Sequence, residues 1–280
     1  MKTVRTKGII IAEKIMSDFD KVVTILTPNI GKIECVAKGA RRSKSLLLAG
    51  TQFLCFGDYL LYKGGDTYRM NACETIEVFY NIRIDLDKLK CASYLTKIVN
   101  DVTTENQNNY RILQLFLNTL YILANTDKDL KFVESIFRIR LLSIIGFRPI
   151  IDECVSCKQK ENLNHFSIKD NGLKCNNCSK QEPGAIAITE TTRDAIRYIV
   201  LSDAKKIYSF NVPEESIKEL EIVSKLYLTE KLEKEFKVWL RQRDGDYVCR
   251  FSAIATLKLV PIWAFFPSWN TSLIEINGIY

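Results

Sequence analysis

Cys154-Val155-Ser156-Cys157 and, seventeen residues later, Cys175-Asn176-Asn177-Cys178 are the segments that decide the fold in the middle of this chain. Two Cys-x-x-Cys motifs at this spacing can place four thiolates at the corners of a tetrahedron, a geometry with soft ligands that favours Zn²⁺. Four sulfurs close the coordination shell, whereas a catalytic zinc keeps one position open, so we expect a structural Zn²⁺. The alternatives are four incidental cysteines or two redox-active pairs.

The remaining cysteines and the single histidine bear on the same site. His165 lies between the two motifs and is an alternative zinc ligand, although four thiolates already suffice. The other five cysteines are scattered without evident pairing, which is typical of a reducing compartment; they are Cys35, Cys55, Cys73, Cys91 and Cys249. We therefore expect a cytoplasmic, nucleoid-associated protein.

No segment of the sequence indicates a membrane protein. The apolar run at residues 8–12 meets Glu13 and Lys14 too soon to form the core of a signal peptide. Residues 253–269 are strongly apolar, but Lys258, Pro261 and Pro267 interrupt them, so they fall short of the roughly 20 apolar residues of a spanning helix.

Residues 1–80 have the pattern of a small β domain. Short segments rich in Ile, Val, Thr, Tyr and Phe are separated by turn residues; they are 6–15, 21–27, 32–38, 53–62 and 67–79. Pro28-Asn29-Ile30-Gly31 and Lys63-Gly64-Gly65-Asp66 predict hairpin turns. Five strands are too few for a two-sheet sandwich, so we predict a closed Greek-key barrel of the OB type.

A basic run follows the third predicted strand. It reads Lys38-Gly39-Ala40-Arg41-Arg42-Ser43-Lys44-Ser45 and lies in a segment, residues 1–50, with ten Lys/Arg and four Asp/Glu, a net charge of +6. Small residues let a backbone approach a ligand, and guanidinium forks suit phosphate oxygens. We predict nucleic-acid binding here, with solvated surface cations as the alternative. Phe53, Phe56 and Tyr59 are candidates for stacking on bases, but strand aromatics are more often core.

The chain changes to helical spacing from about residue 82. Residues 85–99, 110–125 and 129–146 predict helices, and in the last of these Lys131, Arg138 and Arg140 fall off the apolar stripe. After the second cysteine motif, Thr189 or Thr191 can cap a helix that ends at Leu201, and residues 212–214 open another.

The predicted organisation is α+β. A five-stranded OB-type barrel (1–80) precedes a helical domain (81–148), a zinc-binding insertion (149–183), the second part of the helical domain (184–240) and a tail without identified counterpart (241–280). The sequence has neither a Gly-x-x-x-x-Gly-Lys-Ser/Thr loop nor a Gly-x-Gly-x-x-Gly turn, so we do not expect a nucleotide-hydrolysing or dinucleotide-binding enzyme.

The order of these motifs resembles the RecO family of bacterial recombination mediators. The matching segments are Lys21-Val22-Val23-Thr24-Ile25-Leu26-Thr27, Gly31-Lys32, Ala37-Lys38-Gly39-Ala40-Arg41, Phe137-Arg138-Ile139-Arg140-Leu141-Leu142 with Gly146 and Pro149, and the two cysteine motifs. The similarity covers about residues 1–237. Arg138 departs from the acidic residue more usual at its position in the family.

The resemblance implies a protein that is not an enzyme. It would bind single- and double-stranded DNA, anneal complementary strands, and act with RecR to load RecA onto DNA coated by single-strand-binding protein. By this resemblance Lys38 and Arg41 match the family's basic run, which Arg42 and Lys44 extend, and all four are expected to contact phosphates. Arg140 is the candidate for contact with the acidic, apolar C-terminal tail of single-strand-binding protein.

Two other classes of function also fit the residues. An RNA-binding translation or transcription factor can use the same basic barrel, because such a surface does not by itself select DNA. A zinc enzyme acting on nucleic acid is the third hypothesis, which predicts that metal removal abolishes turnover without unfolding the protein.

Overall fold

The computed structural model describes residues 2–65, 67–236, 240–243 and 246–249. Its N-terminal part consists of five strands, as predicted, and their bounds are β1 Lys2–Ile15, β2 Lys21–Leu26, β3 Lys32–Ala37, β4 Phe56–Gly64 and β5 Thr67–Glu77. A short helix, α1 Leu47–Gly50, lies between β3 and β4. The predicted fourth and fifth strands began and ended within a few residues of these limits.

The five strands form a closed barrel in the order β1-β2-β3-β5-β4. Neighbouring strands are antiparallel except at the closure, where β3 pairs with β5 in parallel through Cys35 and Val36. The barrel encloses its own apolar core, in which Ile10, Ile25 and Tyr59 are fully buried. Closure lets β2, β3 and β4 bury alternate residues inside the barrel, whereas Met70 is the only buried residue of β5.

The barrel is joined to the helical domain by buried contacts as well as by the chain. The guanidinium of Arg83 donates to the carbonyl oxygen of Phe53 at 2.6 Å and to the side chain of Gln52. Lys32, the first residue of β3, donates from Nζ to the carbonyl oxygen of Asn100 near the end of the helix 86–102 at 2.6 Å. One apolar core runs from the barrel's outer face into the helices and the cysteine-rich region.

The helical domain contains the predicted helices, together with a short one after the barrel. Their bounds are α2 Tyr80–Ile84, α3 Leu86–Val102, α4 Tyr110–Asn125 and α5 Leu130–Ile144. The Asp129 carboxylate accepts a hydrogen bond from the backbone N–H of Phe132 at 2.9 Å and caps the start of α5. The cap satisfies one of the N–H groups that the first turn of a helix leaves free.

The second cysteine motif is followed by two further helices of the same domain. The cysteine-rich region contributes β6 His165–Ser167, β7 Gly172–Lys174, α6 Asn176–Ser179 and β8 Ile186–Ala187, and then come α7 Glu190–Leu201 and α8 Glu214–Leu232. Of the two threonines predicted to cap α7, Thr189 does so, since its hydroxyl accepts from the N–H of Thr192 at 3.3 Å.

The predicted position of Arg138 outside the buried stripe of α5 was wrong. Arg138 is only 4% exposed, and its guanidinium bonds to Glu134, to the Tyr94 hydroxyl at 2.9 Å and to Ser224 Oγ at 3.3 Å. Helices α4, α7 and α8 all pack on α5, so more of its circumference is covered than one apolar stripe indicates. The buried cation is satisfied by these polar partners.

The end of the chain is described only in part. Leu240–Arg243 pairs with Asp246–Cys249 as a short antiparallel hairpin. The predictions about residues 253–269, and about most of the tail 241–280, lie outside the described residues. Among the helices in the described part of the chain, none is both long and apolar enough to cross a membrane.

Candidate nucleic-acid interface and metal centre

The basic run forms a surface loop after β3, which we call the basic loop (residues 38–45). Lys38, Arg42 and Lys44 are exposed, and Arg41 is half-buried. Gly39 has φ +66°, a left-handed conformation that glycine adopts without strain, and it turns the chain out of β3. The structure therefore presents three of the four predicted phosphate-binding residues to solvent.

Arg41 is engaged with the neighbouring β1–β2 loop (residues 16–20). Its Nη1 donates to the carbonyl oxygens of Ser17 at 2.7 Å and Asp18 at 3.0 Å. These bonds use part of its hydrogen-bonding capacity within the protein. Arg41 therefore holds the two loops together, in addition to placing positive charge at this surface.

The three candidates for stacking on bases pack into the protein cores, the alternative that the sequence favoured. Tyr59 is fully buried, Phe56 is 6% exposed, and Phe53 packs against the main core. The aromatic side chain that does lie beside the basic loop is Phe19, which is 53% exposed, with the guanidinium carbon of Arg42 5.0 Å from its ring centroid. The sequence signal for Phe19 was an aromatic residue in a predicted turn, where no strand face buries it.

The four motif cysteines come together as predicted. Their sulfur atoms all lie within 4.8 Å of one another, and the Sγ atoms of Cys157 and Cys175 are 3.7 Å apart. Cys154 and Cys175 are buried, Cys178 is half-buried and Cys157 is exposed. His165 starts β6 and is not part of this cluster. The cluster can hold a metal ion.

Backbone N–H groups point at these sulfurs and prepare them to bind a cation. Burial by itself raises the pKa of the Cys154 thiol, but the N–H groups of Cys157, Cys175 and Ser156 lower that pKa to about 6. The Cys175 N–H lies 3.4 Å from Cys154 Sγ. The thiolate, which is the form that binds metals, is thus favoured at Cys154, whereas the neighbouring cysteines Cys157 and Cys175 raise the pKa of Cys178 to about 12.

Arg140, the candidate for binding the partner protein, belongs to α5, and its side chain reaches the end of α7. Its Nη1 donates to the carbonyl oxygens of Val200 at 2.7 Å and Ile199 at 3.2 Å, which belong to the last turn of that helix. Burial lowers the pKa of Arg140, the nearby cations Arg111 and Arg148 lower it further, and the carboxylate of Asp203 opposes them. The three guanidinium groups therefore form one positively charged region.

A cavity of about 730 Å³ adjoins this region. Its walls come from the β2–β3 turn, the start of α4 and the end of α5, and they include Arg111, Ile112, Ile144 and Ile145 but no carboxylate. The lining combines apolar side chains and one cation, which suit a ligand that is both apolar and anionic, with four amide side chains that can donate hydrogen bonds to it: Asn29, Gln107, Asn108 and Asn109.

Both halves of the described chain match known family models. Residues 1–79 match the model described as "Recombination protein O N terminal", and residues 83–240 match "Recombination protein O C terminal". The chain belongs to the RecO family. Membership confirms the resemblance seen in the order of the motifs and places the chain among DNA repair proteins.

The similarity to individual RecO proteins extends over nearly the whole length of those proteins. The chain is 43% identical over 237 residues to DNA repair protein RecO of Acetivibrio thermocellus, which covers 84% of this chain and 94% of that protein. It is 34% identical over 232 residues to the RecO protein of Alkaliphilus metalliredigens, with 82% and 94% covered. In both pairs the similarity therefore extends over the barrel and the helical domain together.

Proposed function

We propose that this RecO-family chain is a non-enzymatic recombination mediator. It binds single- and double-stranded DNA, anneals complementary strands, and acts with RecR to load RecA onto DNA coated by single-strand-binding protein. The observation that carries the proposal is the basic loop, which presents Lys38, Arg42 and Lys44 to solvent on a closed barrel. The positive charge of the basic loop would hold DNA during strand annealing, a process that makes and breaks no covalent bond.

Strand annealing requires that two phosphate backbones approach each other. Their repulsion is the main obstacle, and cations on the protein surface reduce it while the bases find their partners. Backbone phosphates carry no sequence information, so binding through the basic loop is independent of sequence and weakens with salt. These properties suit a mediator that acts on any damaged sequence.

The cysteine cluster is proposed to hold a structural Zn²⁺. A tetrahedral zinc with Zn–S bonds of about 2.3 Å separates its sulfurs by about 3.8 Å, close to the 3.7 Å between Cys157 and Cys175. Bound zinc would crosslink the two motifs, and the four cysteines would leave no position for substrate. The cluster supports a scaffold role, in contrast to the zinc-enzyme hypothesis.

The positively charged region around Arg140 is proposed to receive the C-terminal tail of single-strand-binding protein. That tail, by the resemblance to the family, is acidic and apolar, and the cavity offers three isoleucine side chains beside one cation, Arg111. Because Arg140 already donates to the end of α7, we expect Arg111 and Arg148, which are exposed, to make the larger contribution.

Strand annealing tests the proposal directly. The purified chain should accelerate pairing of complementary oligonucleotides, with and without single-strand-binding protein, and without ATP. The double variant Arg42→Ala with Lys44→Ala should slow annealing and reduce the slope of log affinity against log salt by about 1.4 for single strands. Lys160→Ala removes one exposed lysine of the cysteine-rich region, and it controls for the loss of a single positive charge away from the basic loop.

Two outcomes would contradict this assignment. Annealing and salt slope unchanged in the double variant would remove the basic loop from the interface. Tighter binding to RNA than to DNA of the same sequence would favour the RNA-binding hypothesis.

A further inference from the structure

The β1–β2 loop and the basic loop are bonded into one surface. Besides the two bonds from the Arg41 guanidinium, the backbone N–H of Arg41 donates to the carbonyl oxygen of Phe19 at 3.0 Å. The Gly39 N–H donates to Asp20 Oδ1 at 2.7 Å. These bonds fix the position of the Phe19 backbone relative to the cations of the basic loop.

The Phe19 side chain stays largely outside the protein core despite this fixed backbone. It is 53% exposed, and Met16 in the same loop is 62% exposed, so an apolar surface lies directly beside the charged one. The guanidinium of Arg42 stands 5.0 Å from the ring centroid, a cation–π distance. An exposed aromatic ring next to free cations is the combination with which proteins hold unpaired nucleotides.

The charges around Phe19 favour a polyanion as the occupant. Lys38, Arg42 and Lys44 are exposed on the basic loop, and Asp18 is the exposed carboxylate of the β1–β2 loop. Positive charge is therefore in excess around the Phe19 ring. This excess favours a phosphate backbone as the ligand over an acidic or neutral apolar surface of the protein itself.

We propose that Phe19 stacks on an unpaired base while Arg42 contacts an adjacent phosphate. Every base has a π-face, so this contact accepts any sequence, and it is worth about 1–3 kcal/mol for one base. In a duplex the bases are stacked on one another and their faces are closed to the ring. Phe19 thus makes the surface prefer single strands over duplexes. This inference rests on the proposed function, because both use the basic loop.

Three ligands separate stacking from charge. Affinities of wild type and Phe19→Ala are measured by fluorescence anisotropy, at one salt concentration, for an oligothymidylate, an abasic strand of equal length and a duplex. Phe19→Ala should weaken oligothymidylate binding by about 5- to 150-fold and leave the other two affinities unchanged. Phe19→Trp should restore or strengthen it, because the larger ring also stacks.

The controls distinguish this inference from the proposed function. Tyr80→Ala removes a similarly exposed aromatic residue, 52% exposed at the start of α2, and should change none of the affinities. Arg42→Ala should weaken all three ligands together. Unchanged affinities would refute the phosphate contact of Arg42 and count against the basic loop, whereas the stacking of Phe19 is tested by the difference between the oligothymidylate and the abasic strand. Phe19→Leu keeps an apolar side chain but has no π-face, so it should resemble Phe19→Ala.

An equal loss for all three ligands in Phe19→Ala and Phe19→Leu would mean that the ring supports the loop and does not stack. Unchanged oligothymidylate binding in both variants would also overturn the proposal. Circular dichroism of each variant identifies any general loss of fold, and in that case Phe19→Trp decides: restored preference for the base-carrying strand supports stacking, and its absence refutes it.

Discussion

The buried cation on α5 gives a prediction whose size can be worked out from its contacts. Arg138 is paired with Glu134 and bonded to Tyr94 and Ser224, which belong to α3 and α8. Replacing it by leucine keeps an apolar stem at this position but removes the guanidinium, which is the partner of a largely buried carboxylate. We expect Arg138→Leu to lower the free energy of unfolding by about 3–5 kcal/mol.

The loss comes mainly from the carboxylate that remains. Glu134 is half-buried, with 21% of its side chain exposed, and burial already raises its pKa against the attraction of Arg138. The double variant Glu134→Leu with Arg138→Leu removes both charges, and buried ion pairs replaced by apolar residues are often close to neutral in stability. The double variant should therefore be more stable than Arg138→Leu by about 2 kcal/mol or more.

Urea unfolding followed by circular dichroism at two pH values measures these differences. Without Arg138 the folded-state pKa of Glu134 rises further above its unfolded value. A group with a raised folded-state pKa stabilises the fold below its unfolded pKa and loses this contribution as pH rises through the folded pKa. The deficit of Arg138→Leu should thus be larger at about pH 7.5 than at about pH 5.

Three results would refute this reasoning about Arg138. They are a deficit below about 1 kcal/mol, a double variant as unstable as the single one, or a deficit that does not change with pH. Each would show that the carboxylate finds solvent or another partner when the guanidinium is removed.

The remaining predictions concern the metal centre, the basic loop and the end of α7. Metal removal by a chelator, or Cys154→Ser, should accelerate amide exchange in residues 150–187 while the barrel strands stay protected, and uniform protection would contradict a structural metal. Gly39→Ala forces a side chain into a left-handed conformation, so it should lower stability by about 1–2 kcal/mol and weaken DNA binding, whereas Gly64→Ala, with open space and no positive φ, should do neither. Arg140→Ala should lower the free energy of unfolding by about 1 kcal/mol, because two carbonyls at the end of α7 lose a charged donor, and it should weaken binding of an acidic, apolar peptide in an anisotropy assay.

The sequence predicted the local structure well where a short-range pattern determines it. Segments rich in Ile, Val, Thr, Tyr and Phe between turn residues located the five strands, and the capping candidates Thr189 and Thr191 located the start of α7. The spacing of the cysteine motifs predicted a cluster that the structure confirms as four neighbouring sulfurs. Each of these features depends on residues close in sequence or on ligand geometry alone.

Only the tertiary structure decided which polar and aromatic side chains are buried. Arg138 is enclosed because α3 and α8 also pack on α5, Tyr59 is enclosed because the sheet closes on itself, and Phe56 is enclosed in the core that the barrel shares with the helices. Phe19 remains exposed beside Arg42 because bonds between two loops, far apart in sequence, hold it there. Periodicity indicates which faces of an element differ, but exposure depends on the distant elements that cover each face.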